Sequence, residues 1–165
     1  MNGRDIQSYN LDEYRSLFSI IEQDGFLFNS TVKENIFLGD SKEKFSCNVD
    51  WAIKQLERLE NGLSSKTGSR ASLISGGEKQ KIFLLRALQK QNAKILILDE
   101  ATSNYDIESE QKFDELISSL NIYDMIFVIT HRTEILKSMD MIVLLNDGKV
   151  EKIGDWNSLK AKKLK

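Results

Sequence analysis

Ile95-Leu96-Ile97-Leu98-Asp99-Glu100-Ala101-Thr102-Ser103 is the stretch whose reading decides the fold. A short, continuous apolar run without alternation predicts a strand covered on both faces, as in a parallel sheet. Open parallel sheets place their ligands at the carboxyl ends of the strands, so this run delivers Asp99 and Glu100 to the binding edge. Adjacent carboxylates there are costly without a cation. Taken alone, a buried strand ending in two acids is also compatible with a solvated turn or a helix cap.

Working outward, Met125-Ile126-Phe127-Val128-Ile129 and Met141-Ile142-Val143-Leu144-Leu145 predict further strands. Leu17-Phe18-Ser19-Ile20-Ile21 predicts another, ending in a turn at Gln23-Asp24-Gly25. Helices are expected from the capping box Thr31-Val32-Lys33-Glu34, from Val49, Ala52, Ile53 and Leu56 up to Asn61-Gly62, and from Ser75 to about Lys90. Ile107 to Leu120 is expected to bury Phe113, Leu116, Ile117 and Leu120 on one face, and a short helix is expected from Arg132 to Met139. Ser64 to Leu73 reads as a loop, and Asn146-Asp147-Gly148-Lys149 as a hairpin turn into Val150 to Ile153. Strands alternating with helices imply an α/β fold: a parallel sheet flanked by helices, with a small antiparallel end and an inserted helical subdomain.

Composition narrows the class of molecule. The 165 residues are 41% hydrophobic and 29% charged, as for one globular domain or a large piece of one. The apolar runs are far shorter than a membrane span. Net charge is −2 with both signs interspersed, which offers no field for nucleic acid. Absence of a basic segment followed by an apolar stretch at the start, and a single cysteine, Cys47, point to the cytosol. The lysine-rich end, Lys160 to Lys165, reads as a frayed terminus.

Ser75-Gly76-Gly77-Glu78 opens a helix whose first N–H groups have no intrahelical acceptor and carry partial positive charge. Two glycines let a polyphosphate approach the backbone, and Ser75 can donate its hydroxyl. The same Ser75-x-x-Glu78 is a complete capping box that needs no ligand. Both readings stand on these residues alone.

Ile74-Ser75-Gly76-Gly77-Glu78, followed by Lys79-Gln80-Lys81 and Leu85-Arg86-Ala87-Leu88, resembles the signature motif of the ABC transporter ATPases. Ile95 to Ser103 resembles their Walker B segment, and Ala101-Thr102-Ser103-Asn104-Tyr105-Asp106 their D-loop. Gln23 with Asp24 to Ile36 resembles the Q-loop of exporter-type members, and the lone histidine, His131, stands where the family places its H-loop histidine. Asn2 to Ile6, Tyr9 and Leu11 to Arg15 resemble the stretch leading to the Q-loop, so the similarity covers nearly the whole chain. The phosphate-loop pattern Gly-x-x-x-x-Gly-Lys-Ser/Thr occurs at none of the nine glycines. The chain therefore reads as the later part of such an ATPase, without its amino-terminal portion.

What this resemblance implies is a P-loop NTPase-like fold with a core segment over 1–23, a helical subdomain over 24–92, and a second core segment over 93–165. ATP and Mg2+ are the implied cofactors. Glu100, His131 and Gln23 are the implied hydrolytic residues. Ser75, Gly76, Gly77, Glu78 and Asp106 would meet a partner's nucleotide or the opposing subunit, and Asp99 and Gln23 would serve the metal. The implied partners are a second ATPase domain and the transmembrane domains of an exporter at the cytoplasmic face of a membrane. Without a phosphate loop, the isolated chain is expected to lack ATPase activity.

Three departures from the family pattern stand out: Glu78 replaces a glutamine, Asn104-Tyr105 replaces a small, apolar pair, and Ser64 to Ala71 lacks the exporters' acidic loop. The alternative of another class is a non-catalytic module that docks to an intact ATPase or transporter. A carboxyl lobe of an SMC-type or repair ATPase is disfavoured, because Gln23 lies upstream of the signature and no heptad run is present.

Overall fold

The structure is a computed structural model, and it describes residue 3 and residues 5–39 and 44–160. Asn2, Arg4 and the lysine-rich end past Lys160 lie outside the described residues. The chain forms two compact units, Met1–Ile129 and Thr130–Lys165.

In the first unit, strands β1 (Phe18–Ile21), β2 (Ile95–Asp99) and β3 (Met125–Ile129) form one parallel sheet in the order β1-β2-β3. Ile20 pairs with Ile97, and Ile97 with Phe127. That register puts Ser19, Ile21, Leu96, Leu98, Ile126 and Val128 on one face and Phe18, Ile20, Ile95, Ile97, Met125, Phe127 and Ile129 on the other. The first face is packed: Ile21, Leu96 and Leu98 are at most 2% exposed. The second is half open, with Ile20, Met125, Phe127 and Ile129 each about 50% exposed. Cover on both faces of β2 and β3 is the expectation, and it fails: Tyr14, Phe37 and Leu38 stand beside the second face at β1, while Met125, Phe127 and Ile129 stay about half exposed.

Between β1 and β2 the chain makes α2 (Val32–Phe37), α3 (Asp50–Leu56) and α4 (Gly76–Leu88). The capping box that opens α2 is complete: Thr31 accepts from the Glu34 N–H, and Glu34 accepts from the Thr31 N–H. Leu38 ends it in the left-handed region, φ 49°. α3 stops at Leu56, short of the expected Asn61-Gly62, where tight turns take over. α4 is buried almost all round, with Ile82, Leu84 and Leu85 fully enclosed. Each such side chain stabilises the fold by about 1.5–3 kcal/mol. α4 meets the packed sheet face, where the buried Ser19 hydroxyl donates to the Ala87 carbonyl at 2.7 Å.

α5 (Ile107–Ser119) crosses from β2 to β3 and buries Phe113, Leu116 and Ile117, as its periodicity predicts, whereas Leu120, expected on the same face, is the extended C-cap and only part-buried. One helix of this unit was not foreseen: α1 (Leu11–Ser16), capped by Asn10, whose side chain accepts from the Asp12 and Glu13 N–H groups.

The second unit is a β hairpin, β4 (Ile142–Asn146) against β5 (Lys149–Gly154), followed by α6 (Trp156–Lys160). Asp147 and Gly148 both have positive φ, 48° and 73°, as a two-residue type I′ turn requires. The expected helix over Arg132 to Met139 shrinks to a 3-10 turn, Ile135–Ser138, whose N-cap Glu134 makes no side-chain cap hydrogen bond.

Candidate functional site

The carboxyl end of β2 carries the chemistry. Asp99 is the last residue paired to β3, and the Glu100 N–H donates to the Ile129 carbonyl at 3.0 Å, one step beyond. Glu100 then takes φ 51°, a left-handed conformation that non-glycine residues adopt at a cost of about 1–3 kcal/mol. The chain turns sharply there, held by the Ser103 N–H on the Glu100 carbonyl and the Tyr105 N–H on the Thr102 carbonyl. Asp106 closes the turn as the N-cap of α5, accepting from the Ser109 N–H at 2.8 Å. The Ser109 hydroxyl, and then that N–H, hold its carboxyl below the usual range.

The start of α4 lies against this turn. Ser75 accepts from the Glu78 N–H at 3.3 Å, and Glu78 accepts from the Ser75 N–H at 2.7 Å, so the capping box is formed. Glu78 thus performs the capping that the family's glutamine can also perform. The Ser75 oxygen accepts here, leaving its hydroxyl proton to donate elsewhere. Gly76 and Gly77 occupy the first two helical positions, whose N–H groups have no intrahelical acceptor. A Cβ on Gly76 would come within 3.0 Å of the Asn104 side chain, and one on Gly77 within 2.8 Å of the Asn104 carbonyl. The glycines are therefore required by packing within the chain as well as by any ligand.

Gln80, one turn along α4 and 5% exposed, fastens the same turn by its side-chain amide. Its nitrogen donates to the Ser103 hydroxyl at 2.8 Å and to the Glu100 carbonyl at 3.4 Å, and its oxygen accepts from the Asn104 N–H at 3.0 Å. Lys81 is buried beside it, its ammonium 4.5 Å from the centre of the Tyr105 ring. Burial lowers its pKa, opposed by Asp106 and Glu78. Tyr105 packs edge-on against both Trp51 and Phe113, which accounts for an aromatic residue at this position. Neither Gln80 nor this aromatic cluster was singled out in the sequence. A polar residue on the buried side of an apolar helix was the available signal for Gln80.

Gln23 is exposed in the turn after β1. The segment that follows it is tied to α4. Arg86 donates to the Asn35 carbonyl at 2.7 Å, to the Phe26 carbonyl at 2.8 Å and to the Asn35 side-chain oxygen at 3.0 Å. Asn35, fully buried, also donates to the Phe28 and Thr31 carbonyls and accepts from the Phe28 N–H. His131 is exposed and belongs to the second compact unit, two residues past β3. Ser75, Gly76, Gly77 and Glu78 at the start of α4 thus pack against the turn that runs from Glu100 to Asp106, directly after Asp99; Gln23 follows β1 and His131 follows β3.

Asp99 and Glu100 are part-exposed oxygen donors, which suit a hard cation such as Mg2+. No cluster of three His, Cys, Asp or Glu occurs among the described residues. Magnesium commonly takes one or two carboxylates and completes its shell with water and phosphate oxygens, so the residues present fit it in that mode. An open groove of about 930 Å³ runs beside β1, lined by Tyr14, Phe18, Ile20, Phe37, Leu38 and Ile97 among others. Asp99 and Glu100 do not line it; it is continuous with the half-open sheet face.

Known proteins share this fold. The family model described as "ABC transporter" matches residues 1–103. Multidrug resistance protein pgp-1 of Caenorhabditis elegans is 35% identical over 98% of this chain, which spans 12% of that protein. The ATP-dependent lipid A-core flippase of Vibrio parahaemolyticus is 33% identical over 98% of this chain, which spans 29% of that protein. The solved structure of a bacterial Atm1-family ABC exporter with ATP bound superposes with a TM-score of 0.82 at 29% identity, covering 99% of this chain and 30% of that one. No helix among the described residues is long and apolar enough to cross a membrane. With its fold, its signature helix and its Walker B strand in the family's arrangement, the chain belongs to the ABC transporter family, as part of an exporter-type nucleotide-binding domain.

Proposed function

We propose that this chain supplies the signature and Walker B part of an ATPase that drives export across a membrane. The family binds ATP with Mg2+. Magnesium, when bound, would neutralise negative charge on the phosphate groups. Asp99 would hold its water shell, and Glu100 would orient the attacking water by accepting its proton in a hydrogen bond. His131 would donate to the terminal phosphate, and Gln23 would link that site to the helical segment, 24–92, between the core segments 1–23 and 93–165. The Ser75 hydroxyl and the amides of Gly76 and Gly77 would face the nucleotide of a second ATPase domain, with Asp106 at the same interface. That pairing, together with transmembrane domains, would place the chain at the cytoplasmic side of a membrane.

The observation that carries this reading is the fusion of the α4 start and the Glu100 turn into one packed assembly. The phosphate loop must be contributed by residues outside this sequence, from the same polypeptide or another. The half-open face of Ile20, Ile97, Phe127 and Ile129 is the surface a strand and helix bearing that loop would cover. Helix-end contacts cannot replace a phosphate loop's lysine and nested amides, so the chain alone should bind ATP no tighter than millimolar.

To test this, the chain is mixed with the phosphate-loop half of an exporter nucleotide-binding domain and ATP hydrolysis is followed. Turnover that Glu100→Gln abolishes supports the proposal. A stable complex without turnover, or turnover indifferent to Glu100→Gln, overturns it in favour of a non-catalytic docking module, for which the half-open apolar face is the supporting observation.

A further inference from the structure

The Gln80 side chain meets three separate groups of the 100–104 turn and is 5% exposed. A buried primary amide of this kind is expensive to place unless it is satisfied on both ends, and here both ends are spent on one five-residue loop. Two of its contacts are to backbone: the Glu100 carbonyl and the Asn104 N–H. Those atoms set where the left-handed Glu100 and the residue packed on Gly76 and Gly77 can sit. The side chain originates one turn into α4, the helix whose first residues are the signature.

We propose that Gln80 is a positioning residue that locks the backbone carrying Glu100 to the signature helix, so that a displacement at Ser75-Gly76-Gly77 moves the hydrolytic carboxylate with it. This deepens, and rests on, the hydrolytic reading above. In a two-domain ATPase the signature end of one subunit faces its partner's triphosphate, while Glu100 serves the site in its own subunit. Gln80 then carries the state of one site to the other across a single side chain. Direct packing of Asn104 on the two glycines provides a steric stop at the same place. The hydrogen bonds to Ser103 and Glu100 provide the link that pulls as well as pushes.

The test uses the whole chain and Gln80→Met, which preserves length and removes both amide ends. Nitrogen-15 NMR follows the Glu100 and Ser103 amides while the helix start is perturbed by Ser75→Ala. With Gln80 present, Ser75→Ala should shift the Glu100 and Ser103 amides. With Gln80→Met that response should vanish, although the Glu78 and Lys79 amides still respond. Leu96 and Leu98 amide shifts, in the packed sheet, report whether the variant remains folded. Should Gln80→Met unfold the chain, Gln80→Glu replaces it: it retains the acceptor for the Asn104 N–H and loses the donor, and must likewise silence the Glu100 amide.

A Glu100 response that persists without the donor, or none with Gln80 intact, overturns the proposal. In the complemented ATPase, Gln80→Met should lower kcat by about 10- to 100-fold with KM for ATP within about twofold, as for misplacement of a catalytic group. If the unaltered chain shows no hydrolysis in that mixture, the hydrolytic reading fails by itself. The NMR response still decides the link.

Discussion

Replacing Asn35 by Leu keeps the number and branching of heavy atoms in a fully buried side chain and removes every hydrogen bond that side chain makes. The cost follows from which partners have a second bond. The Phe28 carbonyl keeps the Thr67 hydroxyl at 2.7 Å, and the Thr31 carbonyl keeps the backbone N–H of residue 35 at 3.0 Å. Arg86 keeps the carbonyls of residues 26 and 35. What is lost outright is the acceptor of the Phe28 N–H, at about 1–3 kcal/mol, and one charge-assisted bond from Arg86, at about 1.5 kcal/mol. The sum is about 2.5–4.5 kcal/mol.

Because the chain has two compact units, unfolding in urea is followed by Trp51 fluorescence in a Trp156→Phe background, which reports the first unit alone. Asn35→Leu should lower the stability of that unit by about 2.5–4.5 kcal/mol, and the Phe28 amide should exchange with solvent faster by a similar free energy. A loss below about 1 kcal/mol would refute the reasoning, since it would mean that the Phe28 amide finds another partner. The link matters because it fastens the segment after Gln23 to the signature helix.

Gly77→Ala separates two reasons for a glycine. An alanine at an unconstrained helix position stabilises by about 1 kcal/mol, whereas a Cβ 2.8 Å from the Asn104 carbonyl forces the turn to move, at about 1–3 kcal/mol. Net destabilisation of the nucleotide-free chain by the same urea assay is the expected result. Net stabilisation would assign the glycine to ligand approach alone. Acid provides another test. Hydrogen bonds from the Ser30 hydroxyl, the Thr31 N–H and the Thr31 hydroxyl hold Glu34 at about 2, below its ordinary 4.5. A depressed carboxylate contributes stability above its unfolded value and loses it as pH falls through the folded one, so α2 should weaken between pH 4.5 and about 2. Amide exchange in α2 should show that slope, and Glu34→Gln should flatten it.

The strands, the main helices and the two capping boxes were legible because each depends on neighbours in sequence. A continuous apolar run, a Ser or Thr three residues before a Glu, and an Asn-Asp-Gly turn act over one or two turns of chain. The candidate residues Asp99, Glu100, Ser75 and Asp106 were legible for the same reason, being tied to the ends of those elements. α1 was missed because its signal is one capping asparagine over a six-residue helix without a buried residue. The 3-10 turn at Ile135–Ser138 was read as a helix because short apolar spacing does not distinguish the two.

What the sequence determined by itself was the order of elements, the family, and the identity of the groups at the strand and helix ends. Only the tertiary structure decided which of those groups share a rigid assembly. Gln80 and Asn104 are 24 residues apart, and Arg86 and Asn35 are 51 apart, so no local pattern announces either pair. Only the tertiary structure, too, showed one face of the sheet half open. An apolar run makes a strand whether or not anything covers it, because strand pairing depends on the backbone and on the packed face. Cover for the opposite face depends on residues elsewhere.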